Sequence, residues 1–166
     1  MATQSQINAE RMRLLCNGSL SAFIQKSFAI ISTGDQYLHN WHIDCLAEYL
    51  TACKNREIKR LCVNVPPRTL KSVSATVSFP AWLLGQSPSE RIMTASYARS
   101  LSHKHSQDTR FIMQSDWYKS LFPDTILALD QNEKSKFMTT ARGHRMAVSV
   151  GSAATGEGGN FLIVDD

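Results

Sequence analysis

Two short apolar runs constrain this chain most, because each one leads directly into residues that carry chemistry. Residues 61–65 (LCVNV) precede the loop 66–72 (PPRTLKS), and residues 161–164 (FLIV) precede the carboxylates Asp165 and Asp166. Short runs of branched apolar residues are typical of buried β-strands. A buried strand needs paired neighbours and a covering layer, so we expect a sheet packed against helices.

The stretch between the two runs alternates between helical and strand-like patterns. The predicted elements are a helix at 72–84, a strand at 91–96, a helix at about 98–114, strands at 136–140 and 145–150, and a final strand at 161–166. Gly85 is placed to end the first helix, and Gly143 supplies the turn of a hairpin. This alternation predicts an α/β domain.

The chain before this domain is predicted to be a helical lead-in. Residues 1–18 are polar and are expected to be flexible, whereas residues 19–60 contain two helical patterns, the second at 41–53. The basic run 54–60 is interpreted as a solvated turn rather than as a DNA contact. The core domain then comprises residues 61–166.

Composition narrows the class of protein further. A length of 166 residues with 43% hydrophobic content supports one globular domain. The net charge of +4 is compatible with an acidic partner such as nucleic acid but does not demand one. The four cysteines lack the CxxC spacing of a zinc site or a redox dithiol. Since no segment matches a signal peptide or a membrane span, we expect a cytoplasmic protein.

The loop 66–72 has the position of a phosphate-binding loop but not its glycines. It joins a predicted strand to a predicted helix, where backbone N–H groups and a helix N-terminus can face an anion. Lys71 is expected to neutralise β- and γ-phosphates, and the Ser72 hydroxyl is a suitable Mg²⁺ ligand. Val65 and Leu70 replace the glycines of GxxxxGK[ST]. The pattern alone therefore does not identify a nucleotide site.

The carboxylates at the end of the last predicted strand form a second half-site. Ligands of open α/β sheets collect at the carboxyl ends of strands, so we expect both half-sites at one edge. Asp165 is predicted to bind Mg²⁺, directly or through water, as a Walker B aspartate does. Asp166 lies where many related ATPases carry a glutamate that orients the attacking water. By themselves, the half-sites leave nucleotide binding and an ordinary α/β domain as open interpretations.

The sequences of these motifs resemble those of phage and prophage terminase large subunits. The matching segments, in chain order, are VNVPPRTLKS at 63–72, FPAWLLG at 79–85, TASY at 94–97, LFP at 121–123, the turn at 140–143, Gly151, TG at 155–156 and IVDD at 163–166. The resemblance covers residues 36–166. Terminase large subunits are the motors that drive viral DNA into a capsid.

The resemblance implies an ATP site in which a PPR-type loop replaces the glycine-rich Walker A loop. The implied nucleotide contacts are Pro67, Arg68, Thr69, Leu70, Lys71 and Ser72, with Tyr37 or Trp41 of the segment 36–42 stacked on the adenine. The implied Mg²⁺ ligands are Ser72 and Asp165, and the implied catalytic residues are Lys71, Arg68 and Asp166. Leu70 departs from the glycine that many members carry, and its side chain restricts the approach of phosphate to the backbone.

The resemblance also implies a fold, an activity and partners. The fold would be a P-loop NTPase of the ASCE/RecA-like kind, with a mainly parallel sheet and flanking helices, incomplete at the C-terminus. The activity would be ATP hydrolysis coupled to translocation of double-stranded DNA in a bacterial host cell. The implied partners are double-stranded DNA, a small terminase subunit, a portal protein and further copies of the chain. Because family members continue past Walker B to a nuclease domain, we expect this chain to hydrolyse ATP weakly and to lack nuclease activity.

Two other functions remain open. The chain could be a truncated, non-catalytic prophage remnant that binds nucleotide or partners, or a helicase-like translocase that shares both half-sites. A metal site at His39 and His42 would lack a third ligand nearby. The predicted helix that carries His103 and His105 among several cations is interpreted as a solvated face.

Overall fold

A five-stranded mixed sheet forms the centre of the molecule. The computed structural model describes residues 3–149, 151 and 157–165. The strands are β1 (Arg91–Ser96), β2 (Leu127–Asn132), β3 (Lys136–Thr139), β4 (His144–Ser149) and β5 (Phe161–Asp165). The helices are α1 (Gln4–Gly18), α2 (Leu20–Ile31), α3 (Trp41–Lys54), α4 (Phe79–Gln86), α5 (Arg99–Gln114) and α6 (Asp116–Leu121), and a π-helical segment, Val73–Ser78, leads into α4.

The strand directions overturn the predicted fold class. The strand order is β2-β3-β4-β1-β5, in which β1 runs parallel to β4 and β5 while β3 runs antiparallel to β2 and β4. The prediction of a mainly parallel P-loop NTPase sheet is therefore wrong. The physical reason is local: the short turn from β3 to β4 can only reverse the chain, whereas parallel strands need a long crossover. Half of the sheet is consequently built as a meander.

The predicted strand at residues 61–65 does not join the sheet. These residues are extended, and their side chains alternate between half-buried and exposed, as those of a strand do. No strand of the described chain pairs with them. Strand geometry depends on a hydrogen-bonded neighbour as well as on an apolar sequence, and this segment lacks one.

Most of the other local predictions are confirmed. Helices α2, α3 and α5, strands β1 and β5, and the β3–β4 hairpin form within a few residues of the predicted bounds. The N-terminal residues were expected to be flexible, but Gln4–Gly18 form α1. Its first turn is held by a capping box, in which the side chains of Thr3 and Gln6 each accept the other's backbone N–H. Strand β2 was not predicted. Gly85 does not end α4, which continues to Gln86; it packs against the ring of Phe122 instead.

Aromatic side chains join the helices into one core. Trp82 of α4 is buried, and its indole N–H donates to the carbonyl of Cys16 at 3.1 Å, which fixes α1 against α4. Phe23 of α2 lies 6.2 Å from Tyr118 of α6, measured between ring centroids. Within the described residues, no single helix has the length and apolar character of a membrane span; residues 10–18 and 20–31 meet those criteria only together, across a bend of 115°.

Candidate functional site

The loop before the π-helical segment adopts a tight conformation without glycine. Arg68 and Leu70 have φ angles of 64° and 62°, in the left-handed region that glycine enters at little cost. The Thr69 hydroxyl closes the turn by donating to the carbonyl of Pro66 at 2.7 Å. The Leu70 carbonyl then accepts the N–H of Ser74 at 2.8 Å, which starts the helix. Leu70 thus occupies the backbone conformation that a glycine would favour here.

The helix that follows the loop is widened into a π-helix over Val73–Ser78. Pro80 explains part of this geometry, because it has no N–H to donate to the carbonyl of Thr76 four residues earlier. The guanidinium of Arg145, on β4, supplies the missing donor, with Nη2 at 3.2 Å from that carbonyl oxygen. Single π-helical turns are frequent at functional sites. This one lies between the loop and β5.

Asp165, at the end of β5, is the centre of the site. It is only 5% exposed. Its Oδ1 lies 3.9 Å from the Lys71 ammonium, and its Oδ2 accepts the Thr76 hydroxyl at 3.1 Å. His105 Nδ1 lies 3.8 Å from Oδ2. The two half-sites therefore meet, as the sequence predicted, although residues 61–65 are not part of the sheet that carries Asp165.

Burial governs the charge of the basic groups behind Asp165. It lowers the pKa of His105, Arg145 lowers it further, and Asp165 opposes both. Because the desolvation effect is largest, His105 is neutral at neutral pH, and its contact with Asp165 is not an ion pair. Burial also lowers the pKa of Arg145 to about 9. Arg145 therefore remains charged at neutral pH, and its Nε and Nη1 have no hydrogen-bond partner among the described residues.

The other predicted phosphate contacts surround Lys71. Pro67 and Arg68 are exposed, while Thr69 and Leu70 are half-buried. Ser72 lies at the start of the helix, half-buried, and its hydroxyl makes no capping hydrogen bond. Asp166 lies outside the described residues, so the predicted water-orienting carboxylate has no structural account.

The predicted adenine segment reaches the loop through His42. His42 Nε2 lies 3.1 Å from the carbonyl of Thr69, which connects the start of α3 to the phosphate loop. Trp41, beside it, is 75% exposed. Tyr37 packs on Phe28 at 5.6 Å between centroids, and burial, followed by the charge of Asp44, raises the pKa of its hydroxyl. Of the two aromatic candidates, Trp41 offers the more accessible ring.

The two histidines considered as a metal pair have separate partners. His39 Nε2 lies 2.8 Å from the carboxylate of Asp44, while His42 contacts the loop. No group of three or more His, Cys, Asp or Glu side chains with metal-binding geometry occurs in the part of the chain that the structure describes.

A cleft of about 580 Å³ opens beside the site. It lies between β5 and the segment at residues 58–63, from which Ile58, Lys59, Leu61 and Val63 line it. Lys71, Thr76 and Asp165 line one end, and Arg56 and Asn160 line the other. The middle is largely apolar, so a phosphate is suited to the cationic ends, and the Lys71 end is the one that the sequence predicted.

Three residues of the site were missed by the sequence reasoning: Thr76, His105 and Arg145. The prediction that α5 presents His105 to solvent is wrong, because His105 is only 6% exposed. The available signal was the spacing of the buried polar residues of α5, which are Ser102, His105, Ser106 and Thr109. That spacing is the helical period of a packed face. Because the side chains at these positions are polar, no apolar stripe marked the face in the sequence.

Comparisons with known proteins do not assign the chain to a family. No protein-family model matches it, and no curated protein matches it at a significant level.

Proposed function

We propose that this chain binds the triphosphate of ATP with Mg²⁺ at the loop 66–72, as the ATPase portion of a terminase-type DNA-packaging motor. One observation carries the proposal: the Lys71 ammonium and the buried Asp165 carboxylate lie 3.9 Å apart at the start of a helix. A cation and a carboxylate side by side can hold phosphate and its metal ion together. The motor context rests on the resemblance of the motifs.

The loop supplies features that favour an anion. The helix that begins at Lys71 directs its first backbone N–H groups towards the loop, and its dipole favours negative charge. Arg68 is exposed, and its guanidinium is a second cationic group, beside the Lys71 ammonium, near the same end of the helix. In this proposal Lys71 and Arg68 stabilise the charge of the transferring phosphoryl group.

The oxygen groups near Lys71 fit a magnesium ion. Mg²⁺ in phosphate sites uses one or two protein oxygens together with phosphate and water, so a cluster of several carboxylates is not required. Ser72 and Asp165 are the protein oxygens that would hold it, and Thr76 fixes one carboxylate oxygen of Asp165 by a hydrogen bond of 3.1 Å. The bound ion would supply neutralisation of phosphate charge.

Trp41 is the favoured partner for the adenine. Its ring is exposed, and the adjacent His42 contacts the carbonyl of Thr69 in the phosphate loop. Tyr37 is less available because its ring packs against Phe28. A flat aromatic surface next to the loop is suited to stacking on a base.

Calorimetric titration with ATP in the presence and absence of Mg²⁺ tests the site. We expect magnesium-dependent binding that Lys71→Ala weakens at least about tenfold, since a charge-assisted contact contributes roughly 1.5–3 kcal/mol. Lys119→Ala is the matched control, because Lys119 is an exposed surface lysine on α6. Equal binding by the Lys71→Ala variant and the parent chain would show that the loop is assigned wrongly.

Nucleotide binding without turnover is a second candidate, because the cleft lining holds binding groups and one carboxylate. Among the described residues Asp165 is the single carboxylate that lines the cleft, and it is also the proposed Mg²⁺ ligand, so the water-orienting role falls to Asp166, outside those residues. Steady-state phosphate release distinguishes the two functions. Release that Lys71→Ala abolishes supports an ATPase, whereas binding with no release supports an interaction module.

The nucleic-acid partner is tested separately. In a terminase-type motor, a labelled double-stranded DNA should bind with an affinity that falls as salt rises, because phosphate contacts release counterions. Fluorescence anisotropy with matched double- and single-stranded probes measures this. A clear preference for the single strand would favour the helicase-like alternative.

A further inference from the structure

Strand β5 has one edge without a partner. Its residues Phe161–Asp165 pair in parallel with β1 along one side. In the described chain, β5 is the last strand of the sheet order, so its other side faces no strand. Every second backbone N–H and C=O group of a strand points to the same side, so this edge presents a row of unpaired donors and acceptors.

The segment opposite this edge is also unpaired, and after a bend at Lys59 its residues 60–65 form no helix, turn or bend. No backbone–backbone hydrogen bond joins residues 59–65 to another described residue. The side chains of Leu61 and Val63 line the cleft, while those of Cys62 and Asn64 are exposed. This alternation of side chains is typical of a β-strand, although no neighbouring strand pairs with it among the described residues.

The cleft between these two edges runs along the whole of β5. Every residue from Asn160 to Asp165 lines it. At one end Arg56 Nη1 donates to the carbonyl of Asn160 at 3.2 Å, and its guanidinium lies 4.2 Å from the centroid of the Phe161 ring. At the other end Lys71 reaches Asp165. Arg56 and Lys71 flank residues 59–65 in the chain, so a contact to the β5 segment stands at each end of the cleft.

We propose that this cleft is a docking site for a single extended polypeptide strand, which pairs with β5 on one side and with residues 60–65 on the other. The apolar walls formed by Leu61, Val63 and Phe79 call for apolar side chains at alternate positions of the strand. Lys59 is exposed at the Arg56 end, so an acidic residue of the strand is expected there. The occupant is a partner segment of this chemistry, and the inference does not depend on nucleotide binding.

A second folded copy of the chain does not fit this cleft. Its own β5 is already part of a sheet, and residues 59–65 line the opposite wall of the cleft, where a second sheet would have to pass. A lone strand can enter because it is one layer thick and uses both of its edges. The occupant must therefore be a segment that is not already paired in a sheet.

The probe is a short acetylated peptide of alternating valine and threonine residues with an aspartate at one end. We expect it to bind at sub-millimolar concentration and to slow hydrogen exchange at every second amide of β5, measured by NMR. Two further peptides carry N-methyl groups on the odd or on the even residues. Each should bind at least about tenfold more weakly, because a strand in a two-sided cleft loses hydrogen bonds in either case.

Chain variants locate the peptide. Ala75→Trp places a large ring in the cleft and should abolish binding, whereas Ala128→Trp, on the opposite edge strand β2, should not. The proposal fails if no peptide binds at millimolar concentration, if only one N-methylated peptide loses affinity, or if the β5 amides are protected by self-association without peptide. The N-methylated pair keeps the test decisive if Ala75→Trp does not fold.

Discussion

At the scale of single residues, the backbone of the loop is an unusual feature. Arg68 is exposed and has a φ angle of 64°. A non-glycine residue costs roughly 1–2 kcal/mol in the left-handed region. We therefore expect Arg68→Gly to be more stable to denaturant than Arg68→Ala by about 1 kcal/mol, since both lose the side chain and only glycine relieves the backbone. Equal stability of the two variants would show that the loop is not left-handed at this position.

His144 makes stability depend on pH. Burial and then Lys136 lower its pKa from 6.5, Glu157 opposes them, and Arg91 lowers it slightly further. The unfolded chain therefore binds more protons than the folded chain between the two pKa values, so the free energy of unfolding rises with pH across that window and falls as pH drops through 6.5.

Denaturant unfolding between about pH 5 and about pH 8 measures this slope. His144→Gln should reduce the slope of the unfolding free energy against pH. Part of the slope should remain, because burial also lowers the pKa of His105. His103→Gln, on the half-exposed side of α5, is the control. A slope that His144→Gln leaves unchanged contradicts the assignment.

At the scale of the elements, the packing of α4 on the residue after α6 depends on Gly85. A Cβ atom there would overlap the Phe122 ring, and that ring is held by Tyr118 at 5.0 Å between centroids. We expect Gly85→Ala to lower the free energy of unfolding by about 1–3 kcal/mol, as other overpacked cores do. Gly18→Ala meets no atom within 4 Å and should be neutral or stabilising. Thermal or chemical unfolding of the Gly85→Ala and Gly18→Ala variants measures this difference in stability.

At the scale of the whole molecule, the outer face of β5 lacks cover. Leu162 and Val164 lie on this face and are 67% and 75% exposed. Contiguous exposed apolar side chains promote association through the face of a sheet. The double variant Leu162→Lys/Val164→Lys should therefore scatter less light than the parent chain at the same concentration.

The matched control for that experiment lies on the opposite edge of the sheet. Ile126 and Leu129, before and on β2, are 58% and 97% exposed, so Ile126→Lys/Leu129→Lys makes the same change in charge and a similar change in hydrophobicity. It should reduce scattering less, because Leu162 and Val164 lie together on one strand beside an open cleft. If both variants behave alike, general surface hydrophobicity rather than the Leu162 and Val164 face causes the association.

The sequence by itself determined the local elements and the positions of the two half-sites. Helical periodicity and alternation act over a few residues, so α2, α3, α5, β1, β5 and the β3–β4 hairpin could be predicted without knowing what they contact. The same local reasoning placed Lys71 at the start of a helix and Asp165 at the end of a strand. The roles of these residues in binding nucleotide stay predictions.

Only the tertiary structure decided which strands β1 pairs with, the neighbours of Asp165 and the state of residues 61–65. The β3–β4 reversal follows from a local turn, but the pairing of β1 with β4 and β5 depends on which strands meet, and no local pattern encodes that choice. His105 and Arg145 are polar residues whose burial depends on the layer packed against them. The sequence therefore led to the prediction that His105 is exposed, and it gave no prediction for Arg145. An apolar run becomes a strand only when another strand offers hydrogen bonds, which is why residues 61–65 remain extended and unpaired beside an open cleft.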